Sequence, residues 1–310
     1  MNESRDLGKW FKAEVLGGLL SWAFMTWLWD SRGQVSIWVV ALLMLSPLVL
    51  IRVGERLRLG NSGWSAMVAP HAITPTLLAI GFLYPPSMLS AVFAVPWFIL
   101  RVAVVVDVML TWRLLPVKTP EQLSFDFAFI FPAIGAAWLV AHRANWTPGN
   151  FDPLIVLLTA AHFHHAGFTL PLMAGLNAKA RPGCWTRFSC VSILLGVPLV
   201  AIGITCTHFG VLSFVEPFGV TILVIGALGV AVSQIQRGLE KESGGLVRLG
   251  FVVSGVSLLV AMLLAMSFGL RYILPGLSLT MPQMWAIHGT LNAFGFGLCG
   301  ILAWRGRGAT

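Results

Sequence analysis

Long apolar runs recur from one end of this 310-residue chain to the other, and they restrict its fold more than any other feature. A stretch of about 18 or more apolar residues is long enough to cross a bilayer as a helix. The runs are continuously apolar rather than alternating, which excludes a membrane β-barrel. Because only 10% of the residues are charged, a soluble globular domain is also excluded. We therefore expect an all-α, polytopic transmembrane helix bundle, with residues 1–310 forming a single integral membrane domain.

The apolar runs predict about ten spans, separated by short polar connections. They lie at about residues 13–29, 36–51, 64–83, 87–112, 124–141, 153–177, 188–207, 212–234, 247–270 and 283–304. An even number of spans places both termini on the same side of the membrane.

The net charge of +8 is explained by the distribution of lysine and arginine along these spans. If both termini are cytoplasmic, sixteen of the 20 basic residues fall in cytoplasmic segments. The opposite side then holds only Arg32, Arg143 and Arg271, and Arg101 lies within a span. This asymmetry is the one that the positive-inside rule predicts. The basic excess therefore indicates topology and contact with lipid headgroups, and not binding of nucleic acid.

Three histidines lie inside the apolar run of residues 153–177, at His162, His164 and His165. Imidazole groups in hydrocarbon are costly unless they pair, bind a metal or line a polar cavity, so they indicate a functional site. On a helix, His162 and His165 share a face and His164 points largely away from His162. Two imidazoles one turn apart suit one metal ion or one proton relay. The alternative is that single members are core histidines bonded to the backbone.

A second polar group occurs in the last span, where His288 and Asn292 are four residues apart and share a helix face. The predicted topology puts His162, His288 and Asn292 in the outer half of the bilayer, together with Glu216 at the outer start of its span. We therefore expect one polar site there, although Glu216 also fits a simple interfacial carboxylate at a helix N-terminus.

Residues 157–168 read LLTAAHFHHAGF, which resembles the LTAxHFHYAGF signature of the YndJ-like family. The run from His288 to Phe296, with Gly289, Asn292 and Gly295, is similar to the last helix of that family. His165 replaces the tyrosine of the signature. The resemblance implies a multi-pass protein of the bacterial cytoplasmic membrane but no particular reaction. A weaker likeness, confined to four residues from Ala161 to His164, is to the haem-binding helix of haem-copper oxidases.

These residues are compatible with two classes of function. The first is an intramembrane enzyme that acts on an apolar or lipid-derived small molecule by metal or acid–base chemistry. In this hypothesis His162, with His164 or His165, and His288 act as ligands of a divalent metal ion or as acid–base groups. Glu216 accepts a proton or bonds to one of these groups, and Asn292 orients the substrate. The alternative is a proton-coupled transporter that uses the same histidines and Glu216 as its relay. A purely structural membrane subunit is the third possibility.

Overall fold

The computed structural model describes residues 70, 73–114, 118–240 and 244–307, and the regular elements within these ranges are all helical. In chain order they are α1 (73–81), α2 (Met88–Leu114), α3 (Pro120–Arg143), α4 (Pro153–His165), α5 (Thr169–Ala180), α6 (Cys184–His208), α7 (Val215–Leu239), α8 (Gly245–Gly269) and α9 (Met281–Gly306). Short 3₁₀ turns at Pro148–Asn150 and Pro275–Leu277 lie in the connections.

Seven membrane-spanning candidates occur within the described ranges, judged by the length and apolar character of the helices. They are α2, α3, α4 together with α5, α6, α7, α8 and α9. They correspond to the seven predicted spans from 87–112 to 283–304, so the prediction of an all-α membrane protein is confirmed. The predicted spans 13–29 and 36–51, and most of 64–83, lie outside the described residues.

Local sequence signals explain where several helices begin. Thr119 caps α3: its hydroxyl accepts from the backbone N–H of Gln122, whose side chain accepts from the N–H of Thr119. Thr280 and Gln283 form the same reciprocal cap at the start of α9. Asp152 caps α4 by accepting from the backbone N–H of Leu154 at 2.8 Å. Such caps satisfy backbone donors that the first turn leaves without a partner.

Consecutive spans pack side by side around one main hydrophobic core. The middle of the bundle is α7, which contacts α6 on one side and α8 on the other and also touches α5. Helix α9 packs along α8, while α3 contacts α2, α4 and α5. The α6–α7 contact is close because Gly203 faces the backbone of Glu216: a Cβ atom at Gly203 would lie 2.4 Å from the Cα of Glu216. This arrangement brings α4, α5, α6, α7, α8 and α9 around a common space.

Candidate functional site

A break in the sixth predicted span positions the first group of polar side chains. The span 153–177 was expected to be one helix, but α4 ends at His165 and α5 begins at Thr169. Pro171 lies in the first turn of α5 and has no N–H, so Gly167 cannot receive the i→i−4 bond that a continuous helix needs. The carbonyl of Gly167 is the group left without that bond. The backbone N–H of Gly167 donates to the His162 carbonyl at 3.1 Å, which lies five residues back and not four. The histidines therefore lie at the end of a helix next to an irregular turn.

His162 and His165 line a small cavity together with His288 and Asn292 of α9. Its volume is about 60 Å³, which is enough for a few water molecules or the polar end of a ligand. Thr169 of α5 adds a hydroxyl to the same wall. The remaining wall is largely apolar and comes from all the surrounding helices: Ala166, Leu170, Val200, Val220, Leu223, Val224, Met262, Ala265 and Phe296. The cavity is thus polar on the α4, α5 and α9 side and apolar opposite.

His288 is held in one tautomer by the neighbouring helix. Its Nδ1 lies 2.9 Å from the backbone carbonyl of Ala261 in α8. Because a carbonyl only accepts, Nδ1 carries the proton and Nε2 of the neutral ring is the acceptor. Asn292 follows one turn later and its Nδ2 donates to the His288 carbonyl at 2.8 Å. That bond leaves the Asn292 side-chain oxygen available to a ligand.

Helix α9 has an unusual winding where it carries these two residues. It is π-helical at Met284–His288 and again at Leu291–Leu298. In a π-helix the backbone bonds run from residue i to i+5, and such segments occur frequently at functional sites. Ser254 of α8 takes up one carbonyl of this region by donating to Phe296 at 3.0 Å.

Two polar atoms beside the cavity have no hydrogen-bond partner within the part of the chain that the structure describes. They are Nε2 of His162 and Oγ1 of Thr169, and both are buried. A buried polar atom without a partner costs about 1–3 kcal/mol. The two atoms therefore suit a polar group or water in the cavity.

His164 lies outside the cavity, although it was predicted with His162 as a metal ligand. Its Nδ1 donates to the Ala160 carbonyl at 2.7 Å, and its Nε2 accepts from the indole N–H of Trp97 in α2 at 2.9 Å. The guanidinium of Arg101 lies 4.3 Å from the centre of the Trp97 ring. Gly135 permits this packing, because a Cβ there would lie 2.6 Å from Nδ1 of His164. Both ring nitrogens of His164 are thus used: Nδ1 bonds within α4, and Nε2 accepts the bond that joins α4 to α2.

Glu216 also lies away from the residues that line the cavity. Its carboxylate forms a two-point ion pair with Arg271, with 2.5 Å from Nη1 to Oε1 and 3.2 Å from Nη2 to Oε2. Burial opposes the charge of Arg271, but the hydrogen bonds and the negative charge of Glu216 outweigh it and raise the pKa of Arg271. The pair joins the start of α7 to the residues that follow α8.

The predicted divalent metal site finds no support in the geometry. Among the described residues, no group of three or more histidine, cysteine or acidic side chains is arranged to hold a metal ion. His162, His165 and His288 share a cavity, yet they do not form a ligand set.

We expect Trp97→Phe to destabilise the protein by about 1–3 kcal/mol, because the buried Nε2 of His164 loses its donor. The measurement is the free energy of unfolding of purified protein. Trp285→Phe is a matched control, since the indole N–H of Trp285 has no partner among the described residues. A loss no larger than that of the control would contradict a structural bond between Trp97 and His164.

Sequence reasoning missed Thr169 and Trp97. A threonine within an apolar run carries little signal, since its hydroxyl commonly bonds to its own helix. Trp97 was one of thirteen tryptophans, and no pattern in the chain links it to a histidine 67 positions away.

Comparison with known proteins gives a match over most of the chain. Residues 36–296 match the model of the family described as YndJ-like protein. The protein titled "Uncharacterized membrane protein YndJ" of Bacillus subtilis (strain 168) is 30% identical over 188 residues, which cover 60% of this chain. The same residues cover 33% of the relative, so the match spans about a third of its length. No solved structure is significantly similar to the chain.

Proposed function

Since the chain belongs to the YndJ-like family of membrane proteins, we propose that it is a membrane protein whose function resides in the cavity lined by His162, His165, His288 and Asn292. The observation that carries the proposal is the meeting of these side chains from two distant segments of the chain. Histidines in a membrane protein are costly and mark pathways or sites. We propose acid–base catalysis as the chemistry of this site.

The two faces of the cavity support a class of substrate. A molecule with one polar end on an apolar chain would place that end against His162, Thr169 and Asn292 and the adjoining atoms of the chain against the valines, leucines and Met262. This class agrees with an apolar or lipid-derived small molecule that enters from the bilayer. Small-molecule sites commonly combine apolar walls with a few polar groups that fix orientation.

The proposed roles follow from the hydrogen bonds of each group. His288, with Nδ1 donating to Ala261, presents Nε2 as a general base. His162 has a buried Nε2 without a partner among the described residues, and it transfers a proton as the second acid–base group. Asn292 orients the substrate through its side-chain oxygen. Glu216, predicted as a proton acceptor, instead positions α7 through its bond to Arg271.

A proton-coupled transporter is the second candidate, and the winding of α9 favours it. Transport requires a substrate-binding element that moves between two arrangements. The π-helical segments of α9 carry both His288 and Asn292. A change from π- to α-helical winding would rotate these residues relative to the fixed groups of α4.

The topology of the predicted spans completes the proposal. We propose a single domain of about ten spans in the bacterial cytoplasmic membrane, with both termini in the cytoplasm and the cavity in the outer half of the bilayer. The asymmetric distribution of lysine and arginine supports this orientation.

Two assays on the purified protein separate the candidates. The first incubates detergent-solubilised protein with a total bacterial lipid extract, without any gradient, and follows products by mass spectrometry. The second follows proton entry into proteoliposomes loaded with the pH-sensitive dye pyranine, in the presence of the same extract. Product in the first assay supports the enzyme, and proton entry without product supports the transporter. Absence of both would contradict the proposed function.

A further inference from the structure

A row of buried polar side chains continues from the cavity between α5 and α7. Thr169 lines the cavity, and Met173 and Asn177 follow at intervals of four residues on α5. The eight residue-to-residue steps from Thr169 to Asn177 span about 12 Å along the helix, on roughly one face. On α7, Gln234 and Arg237 face them: Gln234 Nε2 lies 3.4 Å from the Met173 sulfur, and Arg237 Nε donates to Asn177 Oδ1 at 2.9 Å.

The hydrogen-bonding capacity of this row is only partly used within the described ranges of the chain. Gln234 is fully buried, its Oε1 has no partner and its amide N–H donates only to a thioether. Asn177 is 2% exposed and its Nδ2 is also without a partner. Of these two atoms without a partner, Gln234 Oε1 is an acceptor and Asn177 Nδ2 is a donor. A purely structural contact between α5 and α7 would be more stable with apolar side chains, because each buried polar atom without a partner costs about 1–3 kcal/mol.

The row ends in a charged cluster that reaches solvent. Arg237 lies 4.6 Å from the centre of the Trp304 ring and close to Glu240, which directly follows α7. Glu240 forms ion pairs with Arg181 and Arg307, and the Arg181 side chain is 53% exposed. Three arginines and one glutamate give this cluster a net charge of +2.

We propose that this row is a hydrated path that connects the histidine cavity with the predicted cytoplasmic face, with Met173 as its narrow point. The path rests on the proposed function, since a histidine that handles protons inside a membrane must exchange them with bulk water. Thr169, Gln234 and Asn177 supply alternating donors and acceptors for a chain of water molecules. Met173 is unbranched and has three rotatable bonds, so it can swing aside at low cost. The positive cluster at the inner end favours anions over cations.

Cysteine accessibility tests the path without any need for a substrate or for proton transfer. Met173→Cys is made in a background in which the four native cysteines are replaced by alanine. It is then treated, in sealed vesicles of each orientation, with anionic sulfonatoethyl and cationic trimethylammonioethyl methanethiosulfonate. We expect modification from the cytoplasmic side only, and at least fivefold faster with the anionic reagent. Adding Gln234→Leu should slow the reaction about tenfold, because it removes the polar group beside Met173.

Leu172→Cys is the matched control, since Leu172 is adjacent and equally buried and lies outside the row. Thr169→Cys, which removes one methyl group and replaces the hydroxyl by a thiol, provides a second reporter if Met173→Cys fails to fold. Reactivity of both reporters no greater than that of Leu172→Cys, or reaction from the opposite side only, would overturn the path. Modification as expected in a protein that shows neither turnover nor proton entry would keep the path and reject the proposed function.

Discussion

Replacement of His288 by leucine is expected to lower turnover, or proton entry, by a factor of about 100 or more. General acid–base groups commonly contribute 10²–10⁴-fold to a reaction, and leucine keeps the volume of the side chain without an ionisable nitrogen. His162→Leu should have a similar effect, because the two rings face the same cavity. The double variant should be little worse than either single one, since groups that act as a unit are not additive. The readouts are lipid-extract turnover and pyranine fluorescence.

His208→Leu is the control for this prediction. His208 ends α6, and its Nε2 donates to the carbonyl of Gly149 at 3.0 Å, away from the cavity. It should retain most of the activity. If the His288 and His162 variants keep more than half of the wild-type rate while folding normally, these histidines are core residues and not acid–base groups.

Arg271→Gln is expected to destabilise the protein by about 3 kcal/mol, the second large effect. Breaking a buried ion pair by removal of one partner leaves the other charge uncompensated. Here the side chain of Glu216 is only 4% exposed, and Gly203 holds the backbone of α6 against it, so the carboxylate cannot reach water easily. Combining Arg271→Gln with Glu216→Gln should recover most of the loss. The measurement is the free energy of unfolding in detergent.

Arg181→Gln provides the comparison for an exposed pair. It removes a partner of Glu240 whose side chain is 53% exposed, and surface ion pairs contribute about 0–1 kcal/mol. Equal losses in Arg181→Gln and Arg271→Gln would show that burial of Glu216 is not what makes its bond important. Loss of activity in Arg271→Gln with unchanged stability would instead indicate that Glu216 takes part in the reaction as a proton acceptor.

The membrane-spanning helices could be predicted from the sequence because hydropathy and length determine them almost alone. A helix is the main way for an apolar segment to satisfy its backbone in lipid, so runs such as 87–112 and 247–270 leave little choice. Their lateral arrangement could not be predicted, because spacing along one helix says nothing about which other helix it faces. The contact of α7 with both α6 and α8 depends on close approaches such as that of Gly203 to Glu216.

The local irregularities around the cavity were harder to predict. Pro171 and Gly167 are visible in the sequence, but proline is tolerated in many transmembrane helices and does not by itself predict a break. The break at residues 166–168 depends on how α5 packs against α3 and α7. The π-helical winding of α9 has no sequence pattern comparable to hydropathy, and it determines which way His288 and Asn292 face.

The three neighbouring histidines show what helix periodicity can predict and what it cannot. The spacing put His162 and His165 on one face and His164 on another, and the structure places the first two at the cavity and the third against Trp97. Periodicity could not assign the faces to their partners, so His164 entered the predicted ligand set. The predicted depth in the bilayer suggested Glu216 as a member of the site. Its ion pair with Arg271 could not be predicted, because the two residues lie 55 positions apart in the sequence.

The most direct test of the account is a cross-link between α4 and α9. His162→Cys/His288→Cys, in the cysteine-free background, is treated with dibromobimane, which becomes fluorescent when it joins two thiols. The account predicts strong fluorescence for this pair and none for His164→Cys/His288→Cys, because His164 faces α2. Fluorescence from the second pair, or no fluorescence from either pair, would contradict the claim that His162 and His288 share one cavity.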